Sequence, residues 1–386
     1  MKLVKETIVP AFEKETGTDV EVTYVDWTQL SPKLNAAFAA GTAPDVFGHG
    51  IAATADLVKN DRIVDLTPYV DKLAAADRDD LKVALTGGRV NGKQYIMPIV
   101  ATVRLLVYSG KDFKDAGLNP DQPPKTWEEV KAAADKLTQR SGGKISRAGL
   151  IMPSDAIGAQ QTFATLMWSN GGELLSSDGS KATLTTPEAV AALEYQASLY
   201  GGAAAVDNTL GGTWNTAPQA QQPIATGKAS MQFAGAGDIK KFQTAAPDRD
   251  LRLMPPVGFG SNKPQTFGGA ANGLMINKDS AKQDLGWKFI QYMIDAQTGL
   301  KYAEALGVLP VRTSAINAPY VTADPEITKA VAALQYAHGN PNVPGWVQMR
   351  DALGKQIEQV LHGKVDASQA LTQANAEVDK TIAASS

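Results

Sequence analysis

Residues 10–50 read PAFEKETGTDVEVTYVDWTQLSPKLNAAFAAGTAPDVFGHG, and the order of elements in this stretch decides the fold class. AFEKETG ends at Gly17, a normal helix stop, while Pro10 marks a kink or a restarted first turn. DVEVTYVD then alternates Val20, Val22 and Tyr24 against Glu21 and Thr23, the period of a half-buried strand. LSPKLNAAFAAG follows as a second helix with Ser31 as its N-cap, and it leads into the short apolar run PDVF. Helix, strand, helix, strand in this order implies parallel pairing and an α/β lobe.

The end of the stretch places an acid, Asp45, beside His49, one of only 3 histidines. Asp45 follows Pro44, a position where a carboxylate caps neighbouring backbone N–H groups rather than doing chemistry. His49 and Gly50 come just past the apolar run, at the edge of a parallel sheet where ligand crevices form. No partner that would fix an imidazole tautomer is indicated, so the rim of a cleft is the better reading than an acid-base centre.

Outward from there, VRLLVYS (103–109) is the continuous apolar run of a strand covered on both faces. Thr126 stands three residues before Glu129, a capping box, which makes Trp127 a first-turn packing residue. AQQTFATLMWSNGG and TPEAVAALEYQASLYGG read as helices closed by glycine pairs, with a hairpin turn at Asp178 and Gly179 between them. The Gly- and Pro-rich residues 255–273 return the chain to a strand, LMIN, before the helix QDLGWKFIQYMID. Two helices end the chain, one burying Leu353, Ile357, Val360 and Leu361, the other Leu371, Ala374, Val378 and Ile382.

A chain of 386 residues exceeds what one core usually supports, so two lobes are expected. A net charge of −3 without a basic face argues against nucleic acid. No run approaches about 18 apolar residues, so nothing spans a bilayer as a helix. MKLVKETIVPAF breaks its apolar run at Lys5 and Glu6 and is no secretory leader: the chain is cytosolic, or its leader was removed. With 0 cysteines there is no disulfide, thiolate nucleophile or zinc-thiolate site. HExxH and GxSxG are absent, and neither TGKAS at 226–230 nor GFGSNK completes a phosphate or dinucleotide loop. Asp45, Glu173 and Asp238 could serve a glycosidase, but no spacing fixes their mutual distance. Among 6 tryptophans, Trp127 and Trp287 have helix-packing homes and Trp168 is ambiguous on its helix. Trp27, Trp214 and Trp346 sit at element ends among Pro, Gly and Asn, where an indole face suits the C–H side of a sugar.

Taken in order, PAFEKETGTDVEV, AAGTAPDVF, NGKQYIMPI with LLVYSGKDFKDAGL, PPKTWEEV, SNGG, TGKASM and PNVPGWVQMRDALGKQIEQVLHGKVDASQAL closely resemble the extracellular solute-binding proteins of family 1, the maltose-binding-like receptors of ABC importers. The resemblance implies a two-lobe type II periplasmic binding fold with an interlobe cleft and hinge, one lobe of residues 1–103 plus 270–312 and the other of 104–269 plus 313–386. It implies a non-enzymatic, monomeric receptor, periplasmic or anchored outside the membrane, that carries a carbohydrate to permease subunits without a cofactor, a metal or catalytic residues. Ligand contacts are expected from Trp27, His49 and Gly50 and from Gln160, Gln161, Trp346 and Arg350. Thr102, Arg104, Gly269, Ala270 and Asn272 join them at the crossings, with Arg312 and Trp214 as further candidates. Trp346→Ala is expected to weaken binding and leave the fold intact.

The chain departs from the family pattern in two places. A strand and turn that precede the first helix in the family are missing, which implies a trimmed start; KTIAASS supplies no replacement strand, so circular permutation is not the explanation. After TGKASM this chain reads QFAGAGD, with Gly237 where the family often has a sugar-stacking tryptophan. A carbohydrate-active hydrolase, or a same-fold receptor for a glycerol phosphate ester or polyamine, stand as alternatives.

Overall fold

The computed structural model describes residues 2–82 and 84–385, with the side chains of Trp27 and Thr28 outside the described residues. Its principal strands are β1 (Val46–Gly50), β2 (Met97–Ser109), β3 (Met231–Gly235), β4 (Leu251–Leu253), β5 (Thr266–Ile276) and β6 (Ala337–His338). The longer helices are α1 (Val9–Thr16), α2 (Trp27–Ala40), α3 (Trp127–Leu137), α4 (Ala156–Ser169), α5 (Pro187–Ser198), α6 (Gln283–Met293), α7 (Trp346–Leu361) and α8 (Ala367–Ser385). The chain folds into two compact units, the first of Met1–Ala101 with Ala270–Tyr320, the second of Thr102–Gly269 with Val321–Ser386. It passes from one to the other within β2, within β5 and after Tyr320. No described helix is long and apolar enough to cross a membrane.

In the first unit, β5 lies between β1 and β2. β1 runs antiparallel to β5, Val46 opposite Ile276 and Gly50 opposite Asn272, which corrects the parallel pairing expected from element order. The strand expected over DVEVTYVD is also absent, since residues 17–26 form neither strand nor helix. The reason is that alternation reports burial, not pairing. Val20 and Val22 pack against the core beside Val4, Ile8 and Trp287. The Val20 N–H goes to a side chain, Glu13 Oε1 at 2.8 Å, and not to a neighbouring strand.

Proline explains the start of the chain. Pro10 has no N–H to give to Glu6, and residues Val4–Ile8 take a wide π turn in which the Val9 N–H reaches Val4 O, five residues back. α2 begins at Trp27, not after Ser31, and runs through Pro32. Asp26 stands just before it with the Gln29 N–H on its carbonyl at 3.0 Å, so Ser31 is an interior residue and no N-cap. Leu34 and Phe38, one turn apart, face inward, and Phe38 meets Phe47 of β1 edge-on at 5.5 Å.

β5 passes so close to β2 that a side chain at Gly273 has no room: an added Cβ would lie 2.5 Å from Met97 O and 2.6 Å from Ile96 Cγ1. Backbone cannot yield as a flexible side chain can. Gly273→Ala is expected to cost about 1–3 kcal/mol in urea unfolding, whereas Gly48→Ala, whose Cβ would make an ordinary 3.7 Å contact, serves as the neutral comparison. Equal midpoints for the two variants would show that β5 can shift away from β2.

In the second unit, β2 is flanked at Val107 and Tyr108 by β3 and β4, both antiparallel to it, and its residues are buried almost throughout. This meets the expectation for VRLLVYS, although the strand starts earlier, at Met97. β6 pairs with β5 in parallel, Ala337 opposite Thr266 and His338 opposite Phe267. The strand expected at LMIN thus begins eight residues sooner than its apolar letters suggest.

Thr126 caps α3 as expected, accepting the Glu129 N–H at 3.2 Å, while Glu129 Oε2 accepts the N–H of Lys125 at 2.7 Å. Trp127 is 2% exposed and its indole N–H donates to Ser169 Oγ at 2.8 Å. The expected hairpin is a turn at Asp178 and Gly179 closed by one isolated bridge, Leu175 with Ala182. α8 holds that turn from behind: Asn375 Oδ1 accepts the Leu184 N–H at 3.0 Å and Asp379 Oδ1 that of Ala182 at 2.7 Å. Just after β2, Asp112 is buried between Arg147 (2.9 Å) and Arg249 (2.6 Å) and accepts the Ser230 hydroxyl at 2.9 Å.

Candidate functional site

In the first unit, β1 and β5 bring expected residues together. Gly50 lies opposite Asn272 and His49 opposite Gly273, both at the end of β1 rather than beyond it. The Gly50 N–H donates to His49 Nδ1 at 2.8 Å. Nδ1 is therefore the bare nitrogen, and the Nε2 proton points to Ser31 Oγ at 3.2 Å. The tautomer partner that the sequence did not indicate is thus a serine from the middle of α2. Burial lowers the pKa of His49, which favours the neutral ring. A neutral Nε2–H imidazole beside an exposed Asn272 offers polar contacts, not proton transfer.

The remaining first-unit candidates divide. Ala270 packs on Gly87, where an added Cβ would come within 2.8 Å of its methyl. Arg312 is occupied: it donates to Ile294 O at 2.8 Å, to Asp77 at 2.7 Å and to Asp80 at 3.0 Å. Its guanidinium ties the loop after Leu309 to the 75–80 helix and acts as an anchor. Trp27 opens α2, and its side chain lies outside the described residues.

In the second unit, α4 carries Gln160 and Gln161. Its N-cap is Asp155, whose Oδ1 accepts the Gly158 N–H at 3.2 Å and whose Oδ2 accepts from Asn215 at 2.8 Å. Gln160 is fully buried and donates across a long 3.5 Å contact to Asn340 Oδ1, in the loop leading to α7. α7 packs on α4, with Gly354 so close that a Cβ would lie 3.2 Å from Ala156 O. Gln160 Oε1, Gln161 Oε1, Trp168 Nε1 and Trp346 Nε1 are buried without a hydrogen-bond partner. Such groups are few in folded proteins, because each costs about 1–3 kcal/mol unmatched.

Trp346 heads α7 and is 3% exposed. Replacing it with alanine would open a hole costing about 3–5 kcal/mol, which corrects the expectation that Trp346→Ala spares the fold. Trp214 also has a structural home: its N–H donates to Thr209 Oγ1 at 3.0 Å and its ring packs on Ala148, Ile151 and Ala229. Arg350 is paired with the adjacent Asp351 at 2.7 Å. Arg104 lies 5.9 Å over the Phe267 ring; burial lowers its pKa while Asp155 and Asp238 oppose that. Thr102 contributes a carbonyl that an added Cβ on Gly268 would meet at 2.5 Å, and Gly269 follows with φ +105°. Gly237 lies in the short turn Ala236–Asp238 after β3 and presents no side chain.

Sequence reasoning left out Trp168, His338 and Asn340. Trp168 shares a face of α4 with Gln160, two turns apart, which was the available signal. Its ring stacks on His338 at 4.0 Å and on Phe267 at 6.3 Å, so it offers its N–H rather than an open face. The carboxylates considered for hydrolysis each have a local partner: Asp45 accepts from Ser280 at 2.6 Å, Glu173 meets His338 at 3.3 Å and Asp238 pairs with Lys241 at 3.1 Å. Among the described residues, no three His, Asp or Glu side chains are grouped to hold a metal ion.

The diacetylchitobiose binding protein of Streptomyces coelicolor is 26% identical over 382 residues, covering 96% of this chain and 85% of that protein. The maltotriose-binding protein of Pyrococcus abyssi is 23% identical over 366 residues, covering 90% and 73%. An ABC substrate-binding protein of Listeria monocytogenes, solved in complex with cycloalternan, superposes with a TM-score of 0.85 at 25% identity, covering 99% of this chain and 96% of that one. Such neighbours share the two-lobed type II periplasmic binding fold. The family model for bacterial extracellular solute-binding proteins matches residues 7–329. With most of its length accounted for by that match, the chain belongs to the bacterial extracellular solute-binding proteins.

Proposed function

We propose that the protein is the solute receptor of an ABC importer and that its solute is a neutral oligosaccharide. The observation that carries this reading is the set of buried, partnerless polar atoms on α4 and α7, with two amide oxygens that accept and two indole N–H groups that donate. A sugar hydroxyl does both, so one class of ligand meets both kinds of atom. A phosphate ester carries an anion that needs a cationic partner, and the charges of Arg104 and Arg350 already have carboxylates nearby. A polyamine brings donors only and would leave the indoles unmatched. The similarity to receptors of diacetylchitobiose, maltotriose and cycloalternan points the same way. Permease subunits are the partner to which the solute is passed.

A thermal-shift panel of maltotriose, diacetylchitobiose and cycloalternan tests the reading. A sugar present at about a hundred times its Kd stabilises the native state by about 2.7 kcal/mol and raises its melting temperature. Trp346→Phe keeps a six-membered aromatic ring in place and removes the N–H, so it is expected to weaken the best sugar by roughly tenfold in calorimetry while leaving a smaller cavity, and a smaller loss of stability, than alanine. A flat panel would sink the oligosaccharide reading, and release of reducing sugar would sink the receptor reading.

A further inference from the structure

We propose that Asn91 is a site of spontaneous covalent modification, its side-chain amide converting to aspartate and isoaspartate, while the fold protects the chain's other Asn–Gly pairs, Asn170–Gly171 and Asn272–Gly273. The proposal is independent of the solute and of the receptor reading. The chemistry needs a free asparagine side chain and a following backbone nitrogen that can reach it. The Gly92 nitrogen attacks Asn91 Cγ, the bond from Cγ to the side-chain nitrogen breaks, and that nitrogen leaves as ammonia with the proton given up by the Gly92 amide. Water then opens the cyclic imide at either carbonyl. Opening on one side gives aspartate; opening on the other gives isoaspartate, with the main chain lengthened by a carbon.

The hairpin joining Arg89–Val90 to Lys93–Gln94 meets both needs. Asn91 and Gly92 are its central residues, and both are exposed. Among the described residues the Asn91 side chain has no hydrogen-bond partner, and an added Cβ on Gly92 would meet nothing within 4 Å. Their φ values of 50° and 78° are those of a type I′ turn. The related type II′ turn keeps the positive φ at the first central residue and gives it up at the second. A flip of the peptide between Asn91 and Gly92 interconverts the two, and glycine tolerates both states. That flip swings the Gly92 nitrogen toward the Asn91 side chain while Arg89 stays opposite Gln94.

The other two pairs are denied this movement. The Gly171 N–H is held on Trp168 O at 3.0 Å. Asn170 Nδ2 donates to Glu188 O at 3.3 Å, and its Oδ1 accepts from Asn262 at 3.2 Å. Asn272 is the sharper contrast, because it is as exposed as Asn91. The peptide it shares with Gly273 lies in the β1–β5 ladder, with Gly50 and His49 opposite. Gly273 is also wedged against Met97 O and Ile96, so that peptide has no space in which to turn.

Damage at the hairpin tip stops at its base. Gln94 is 3% exposed; its Nε2 donates to Gly87 O at 2.8 Å and to Ile96 O at 2.6 Å, and its backbone N–H donates to Thr67 Oγ1 at 3.0 Å. The modified chain therefore stays folded and gains a negative charge.

The test incubates the whole chain in mildly alkaline buffer, beside a second sample held unfolded in urea, and follows each Asn–Gly peptide by mass spectrometry after digestion. In urea the three pairs are expected to convert at similar rates. In buffer Asn91 is expected to keep close to that rate, whereas Asn170 and Asn272 slow by at least roughly tenfold, because their reaction waits on local opening. Asn91→Gly preserves a sequence suited to a type I′ turn. It is expected to remove the acidic species that accumulates on ion exchange and to leave the circular dichroism spectrum unchanged. Conversion of Asn170 or Asn272 in buffer as fast as Asn91 would overturn the proposal, and so would an Asn91 that reacts in buffer tenfold more slowly than in urea.

Discussion

Asp112→Ala is expected to cost the second unit about 3 kcal/mol or more, the range found when one member of a buried ion group is removed and its partners stay behind. The carboxylate is 1% exposed and is shared by Arg147 and Arg249, which are 18% and 14% exposed. Without it, two guanidinium groups face each other in a largely dry place, and each already has an Nε atom without an acceptor. The Ser230 hydroxyl would lose its acceptor as well. Asp112→Asn preserves the shape and part of the hydrogen bonding but not the charge, so it should fall between alanine and wild type. Urea unfolding followed by a second-unit probe such as Trp127 fluorescence measures the loss. A cost under about 1 kcal/mol would mean that water reaches both guanidinium groups well enough to replace the carboxylate.

The second large effect concerns pH. Asp207 is 2% exposed and accepts from Met152 N at 3.3 Å, Thr209 N at 2.7 Å and Thr209 Oγ1 at 2.7 Å. Burial raises its pKa from 3.8 to about 7, outweighing those three donors. The folded state therefore holds this proton where the unfolded chain has released it. Stability from this group is fully present below the unfolded value, and it is lost as pH rises through the folded one. The window is about 3 pH units wide, and at about 1.4 kcal/mol per unit it amounts to roughly 4 kcal/mol between about pH 4 and pH 7. Other carboxylates act in the opposite sense: hydrogen bonding to Ser314 and Arg312 outweighs desolvation and lowers the pKa of Asp80, and bonds to Ser176 and Ser180 lower that of Asp178 to about 2. The quantity to measure is therefore the difference between wild type and Asp207→Asn across this range. It should shrink steadily with rising pH. A constant difference would show that the carboxylate stays ionised on its three donors.

How much of this was legible beforehand depends on what each residue reports. Helical periodicity reports burial directly: Leu353, Ile357, Val360 and Leu361 of α7 and Leu371, Ala374, Val378 and Ile382 of α8 are all buried, as their spacing implies. The Thr126 cap and the Trp127 packing role were likewise local facts. β5 was half hidden, because TFGGAANG lacks the apolar letters of a strand. Its glycines are there to let the chain through, since a Cβ on Gly268 would meet Thr102 O at 2.5 Å and Ala337 at 3.2 Å. Orientation of β1 was beyond reach, as its partner lies more than two hundred residues away. At the candidate site, Gln160 and Trp346 were expectations that came with the family resemblance. The stack of His338 on Trp168 joins residues 170 positions apart, and no spacing announces such a meeting.

Neither unit is made of one continuous piece of chain: the first needs residues 270–320 and the second needs residues 321–386. A ribosome that has released the first 250 residues has therefore produced two sets of apolar faces and no finished core. Domains that fold as they emerge do so from the amino end, but here the final helix must arrive before the turn at Leu175–Ala182 is held. That interleaving postpones completion of both cores until the last helices have emerged.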